Sequence, residues 1–310
     1  MTQDRTYLGI LLMLGFSMIA PIGDAIVKLL GPLIPVMLFS FYRFFLQAAF
    51  LAPIVLGSKQ PLRPTPRQLG LILLRSLFHF VGLGSVFMAL RYLPLADAIA
   101  IAFVMPFIQL MLGKLFLNEV VGKHRIIACA VGFSGTLLVI QPSFAVVGMA
   151  ALWPLGAAMA FALFMLVGRQ IAQEMDPIAI QMISGGMASA VLLPILLIGG
   201  ALGWDGVAFA IPQGQAFWLM LAAGALGTVA HLLMTWSLRF APSATLAPLT
   251  YIEIPITTLV GFIVFGDLPN GLAALGICIT MAAGLYIIFR ERATHRSLRA
   301  VPTPHSPAQP

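Results

Sequence analysis

Along this chain, apolar residues come in runs of about twenty and polar residues gather in short clusters between them. A helix rises 1.5 Å per residue, so about 20 apolar residues cross the ~30 Å hydrocarbon core of a bilayer. That ruler predicts an all-α membrane protein with ten transmembrane helices. They run near residues 7–30, 33–56, 68–90, 94–117, 124–141, 148–168, 178–200, 214–239, 243–265 and 270–290. Strands do not compete, because the runs are too long and do not alternate. The connections carry helix breakers, as in "GPLIP", "GSKQPLRPTPR", "YLP", "QPS", "MDP" and "DLPN". The opening stretch "MTQDRTYLGILLMLGFSMIAP" has the profile of a signal peptide, but its apolar run continues past Pro21, and it reads as an uncleaved first span. Residues 291–310 are polar and Pro-rich and read as a disordered tail.

Composition supports the same picture. Of 310 residues, 60% are hydrophobic and 9% charged, where a soluble domain carries roughly 25% charged residues. Cys129 and Cys278 both fall in apolar runs and fit packing roles; no CxxC, Cys/His metal spacing or cofactor motif occurs. The net charge of +7 marks loops held in the cytoplasm rather than a nucleic-acid partner. With both termini cytoplasmic, Arg5, Lys59, Arg63, Arg67, Lys114, Lys123, Arg125, Arg169, Arg239 and Arg290 all lie on or near the inside, and only Lys28 and Arg91 lie near the outside.

The chain also repeats itself. Residues 91–119, "RYLPLADAIAIAFVMPFIQLMLGKLFLNE", align with 239–267, "RFAPSATLAPLTYIEIPITTLVGFIVFGD", at an offset of 148. A weaker echo joins 15–53 to 156–194, placing Ser184 where Arg43 stands in the first copy. The copies are five spans apart, an odd number, so they predict two inverted five-helix repeats, at 1–141 and 148–290. Charge agrees: basic "VVGKHR" follows the first copy and uncharged "LPNGLA" the second.

At these residues the chain resembles the EamA-type members of the drug/metabolite transporter superfamily. The resemblance is carried by "YRFFLQAAFLAP" at 42–53 and by a Pro-containing span ending in an acid in each half, Glu119 in "LFLNE" and Asp267 in "IVFGD". Gly-rich spans follow, "GFSGTLLVI" and "AAGLYIIF". It implies a bacterial inner-membrane carrier of small polar or amphipathic solutes, working as a monomer or homodimer.

An ionisable group at the bilayer centre costs about 2.5–3.5 kcal/mol and is retained where it faces a partner or a water-filled cavity. Glu253 lies about ten residues into its span, roughly 15 Å deep at 1.5 Å per residue. Arg43 is about as deep, which makes the two candidate partners, either as a structural ion pair or along a solute path. Arg75 and His79 are four apart on one helix face and either line the cavity or bond to backbone carbonyls. Gln47, Gln109, Trp236 and Tyr251 complete the candidate substrate-binding set. Glu253 and His231 are the candidates for proton coupling, histidine because its unperturbed pKa is near 6.5. Asp24 and Lys28, also four apart, read as a helix-end pair or a gate, and Glu119 and Asp267 as braces of their turns. Pro106 and Pro255 interrupt mid-span hydrogen bonding, as at many transporter sites.

No GxxxxGK[ST] loop for ATP is present. An intramembrane enzyme rests only on "PIGDA" at 21–25, and a receptor would need a soluble output domain. The expected function is a secondary transporter, not an enzyme. Aromatic-rich spans with buried cations suit a planar polar ring such as riboflavin, with S-adenosylmethionine or amino-acid-type metabolites as alternatives.

Overall fold

A computed structural model of the chain describes residues 3–58, 64–93, 95–102, 104–118, 121–140, 148–266 and 271–299. Among them the structure is helical, without strands. The first half holds α1 (Gln3–Leu30), α2 (Val36–Gly57), α3 (Pro66–Tyr92), α4 (Leu95–Ala102), α5 (Met105–Phe116) and α6 (Lys123–Ile140). The second holds α7 (Leu152–Ala172), α8 (Pro177–Ala201), α9 (Gly214–Phe240), a one-turn α10 (Ser243–Leu246), a 3-10 segment Ala247–Ile252, α11 (Glu253–Phe265) and α12 (Gly271–Arg299).

The ends of these helices follow local chemistry. Thr65 and Gln68 form a reciprocal capping box ahead of α3. Asp176 accepts hydrogen bonds from the backbone of Ile178 and Ala179 at the start of α8. The fourth span of each half, in which the sequence places an interruption at Pro106 and Pro255, is divided into separate helical segments. Pro106 and Pro255 fall in the first turns of α5 and α11, positions where a missing N–H costs nothing. The prolines therefore start new helices rather than kink old ones.

Helix starts keep strict register between the halves. α3 and α9, α4 and α10, α5 and α11, and α6 and α12 begin 148 residues apart; α2 and α8 begin 141 apart. The backbone caps repeat too. Asn118 has φ 51° and Gly266 has φ 75°, again separated by 148. Asparagine and glycine are the residues that take the left-handed conformation most readily. The most extensive packings are α1 on α9, α6 on α12, α3 on α7 and α2 on α8. Exchanging the halves turns α1 on α9 into α7 on α3 and maps the other two onto themselves. Close approach is built in: a methyl at Gly185 would meet the Phe44 carbonyl at 2.6 Å.

Polarity is distributed inside out. Leu56, Leu115, Trp218 and Ile263 are exposed on the exterior, while Arg43, Arg75, His79, Gln47 and Gln181 are buried. Among the described residues six helices are individually long and apolar enough to span a bilayer, and there are shorter apolar helices besides. A bilayer is the solvent that accepts such an exterior.

The sequence suggests a disordered tail from Glu291; α12 instead continues to Arg299. "ERATHRSLR" consists largely of good helix formers and meets no proline before Pro302. Residues 300–310 lie outside the described residues.

Candidate functional site

One cavity of about 150 Å³ lies on the seam between the halves. Its lining comes from α1, α2, α3, α4, α5, α7, α9 and α11. On α1 the lining runs from Phe16 to Val27, and on α3 it is Leu83 and Val86, so the cavity extends from mid-span toward the end where α1 and α3 finish. The other end is packed shut by an apolar cluster including Ile10, Met13, Phe164, Met234, Leu238 and Leu246. At its rim, Arg67 pairs with Glu174 at 3.1 Å. Gln68 also donates to Glu174, and Arg169 and Gln173 donate to the Leu238 carbonyl.

Four ionisable side chains face the cavity: Asp24, Arg43, His231 and Glu253. Arg43 is 3% exposed. One arm of its guanidinium donates to Gln47 Oε1 at 3.2 Å; the other, Nη2, has no partner. Gly227 makes room for it, since a methyl there would overlap the guanidinium. Glu253 occupies the first turn of α11, so a half-helix begins at the chamber, with an acid where the helix dipole favours one. Among the described residues no ion pair joins Arg43 to Glu253; they share the cavity instead. Asp24 and Glu253 line the same cavity. Asp24 faces the chamber, and the Lys28 ammonium lies 4.7 Å from the centre of the Phe265 ring.

The remaining sequence candidates lie off the cavity. Gln47 donates to the backbone and side-chain oxygens of Gln181, and Gln181 donates to Thr235 Oγ1 and the His231 carbonyl. Arg75 is fully buried, donates to Ser184 and Thr235, and lies 4.0 Å from the Phe164 ring centre. A polar network thus joins α2, α3, α8 and α9 directly behind Arg43. His79 is buried among Phe44, Phe164 and His231, its ring 4.4 Å from that of His231, with neither ring nitrogen bonded. Gln109 donates to the Met165 sulfur. Tyr251 is buried and donates to the Cys129 carbonyl. Trp236 is partly buried and does not line the cavity. Glu119 and Asp267 lie outside the described residues.

Five pairs of lining residues exchange under the repeat offsets: Ala20 with Phe161, Asp24 with Met165, Leu83 with His231, Val86 with Met234, and Met105 with Glu253. The cavity therefore sits where equivalent surfaces of the two halves face one another. In three of the pairs one member is ionisable and its mate is apolar.

Comparison with known proteins adds independent findings. A model of the EamA-like transporter family matches twice, at residues 7–141 and 148–290. The riboflavin transporter of Rhizobium johnstonii is 29% identical over 251 residues, covering 75% of this chain and 78% of that protein. The S-adenosylmethionine uptake transporter of Rickettsia felis is 25% identical over 270 residues, covering 87% and 88%. A solved crystal structure superposes with a TM-score of 0.65 at 18% identity, over 94% of this chain and 100% of that one; at that identity the likeness concerns the fold alone.

Proposed function

The chain belongs to the EamA-like transporter family, and from that premise we propose a secondary carrier that moves a small amphipathic metabolite across a bacterial inner membrane by alternating access. The observation that carries this reading is the seam cavity that holds Asp24, Arg43, His231 and Glu253. Charged groups in a membrane interior need a hydrated or occupied chamber to face.

Two inverted five-helix repeats supply the two states. The offset of 148 shared by four pairs of helix starts, the paired left-handed caps and the exchangeable packings support that architecture. In one state the chamber reaches the face where α1 and α3 end; in the other, exchange of the roles of the halves opens the opposite face. The Arg67–Glu174 pair and the Leu238 carbonyl contacts latch the closed face. With both termini cytoplasmic, that closed face is the inner one. Proton coupling runs through Glu253 or His231. The relatives' names bracket the solute between a flavin ring and a sulfonium amino acid.

Counterflow in proteoliposomes tests the carrier. Saturable exchange of an unmodified solute is expected; chemical conversion would make the protein an enzyme, and non-saturable flux a channel. Cysteines placed at Lys59 and Pro269 test the repeats. Impermeant reagents should label them from opposite faces, and labelling from one face would end the inverted reading.

A further inference from the structure

The packing of the two halves exchanges down to single contacts. A methyl on Gly15 of α1 would meet the Leu233 side chain of α9 at 3.3 Å, and one on Gly156 of α7 would meet the Ser85 side chain of α3 at 3.5 Å. Gly15 and Gly156 are mates at an offset of 141, and Ser85 and Leu233 at 148. One interface breaks the exchange: α7 and α9 pack on each other more extensively than their mates α1 and α3.

At the closed end that interface is fastened by Arg169, in the last turn of α7, which donates to the Leu238 carbonyl in the last turn of α9. The same offsets take Arg169 to Lys28, in the last turn of α1, and Leu238 to Leu90, in the last turn of α3. The two acceptor ends are built alike. Their cap residues, Leu93 and Ala241, are both extended, at φ −119° and −136°, and donate to the Ala89 and Ser237 carbonyls. Four residues beyond Leu90 and Leu238 stand Pro94 and Pro242. Proline has no N–H, so neither carbonyl can receive the usual helical bond, and each is left for a side-chain donor. The Lys28 ammonium lies against the Phe265 ring, whose position in the first half is taken by Leu117.

Resting on the carrier reading above, we propose that Lys28 is the outer latch. When the halves exchange roles and the chamber opens inward, its ammonium donates to the Leu90 carbonyl, as Arg169 donates to Leu238 in the present state. Phe265 holds the ammonium aside while the outer end is open. The inner latch has a second donor in Gln173. The mate of Gln173 is Pro32, which cannot donate, so the outer latch depends on Lys28.

The test is the distance between spin labels on cysteines placed at Leu33 and Tyr92, just beyond α1 and at the end of α3, in the full chain with Cys278→Ser in lipid nanodiscs. Wild type should show a long, open population and a short, closed one. Lys28→Met should deplete the short population about tenfold, the effect of one charge-assisted hydrogen bond. Lys28→Arg, which copies the mate, should restore it. Phe265→Leu should enrich the short population about threefold, because the ammonium is released toward Leu90. A purely structural contact between Lys28 and Phe265 would make the two variants alike. Shifts of Lys28→Met and Phe265→Leu in one direction, or no shift in either, therefore overturn the latch, and saturable counterflow of labelled riboflavin or S-adenosylmethionine would then leave the carrier standing. A single distance population with no saturable counterflow of either solute overturns the carrier and the latch together.

Discussion

At the cavity positions that exchange between halves, the first half supplies Ala20, Asp24, Leu83, Val86 and Met105, and the second supplies Phe161, Met165, His231, Met234 and Glu253. The backbones match to the residue: α5 and α11 both open at the offset of 148, yet one begins with methionine and the other with glutamate. The same holds deeper in the protein, where Arg75 and His79 of α3 correspond to Ala223 and Gly227 of α9. Gly227 is the space into which Arg43 fits. For the proposed carrier, the shared skeleton is the source of two conformations of similar energy. Unshared side chains give one chamber with an ionisable wall and an apolar wall.

Placing identical substitutions at mated positions probes this division. Removing one member of a buried charge set costs about 2–5 kcal/mol, and 1.4 kcal/mol is a factor of ten. Glu253→Gln should therefore slow solute exchange by about 100-fold, whereas Met105→Gln should change it less than about threefold. If the two variants fall equally, the asymmetry has no functional meaning. Where Glu253 carries the proton, exchange by the Gln variant should also lose its dependence on pH.

Glycines give the next largest effect. Overpacking a tight contact costs about 1–3 kcal/mol. Gly185→Ala should destabilise the protein in a thermal melt, because its methyl meets Phe44 and Ala48 backbone at 2.6 and 2.9 Å. Its neighbour Gly186 has nothing within 4 Å, and Gly186→Ala should melt at or above the wild-type temperature. Gly227→Ala should spare most of the stability but slow exchange by about tenfold, by displacing Arg43.

The paired caps should respond alike. A left-handed residue bearing a Cβ costs about 1–2 kcal/mol. Gly266→Ala should lose about 1 kcal/mol, Asn118→Ala somewhat less, and Asn118→Gly should gain a few tenths, all read as shifts in denaturation midpoint. Opposite signs at the two sites would break the structural equivalence of the halves.

The latch is the weakest element. Exposed ion pairs contribute about 0.2–1 kcal/mol, and the Arg67 and Glu174 side chains are 71% and 35% exposed. Glu174→Gln should raise labelling of a cysteine at the closed end by no more than about threefold. A larger change would make the pair a principal gate.

The helical membrane class, and family membership through repeated spans and their acids, were legible in the residues. Arg43, His231 and Glu253 were legible as candidates, because a charge deep in an apolar run is conspicuous. Asp24 was harder to read: its spacing to Lys28 suggested a local pair, and nothing local shows that the chamber extends to that end of α1. Arg75 and His79 were equally conspicuous, yet their neighbours Ser184, Thr235 and His231 are more than a hundred residues away in the chain.

Length, hydropathy and duplication are properties of one strand of sequence, and they determined by themselves where the apolar helices form and that the chain is built twice. Which charges meet across the seam, which are absorbed into the network behind it, and which wall stays apolar were decided only by packing. Apolar periodicity marks a buried face, but its neighbour is chosen by the fit of helices distant along the chain.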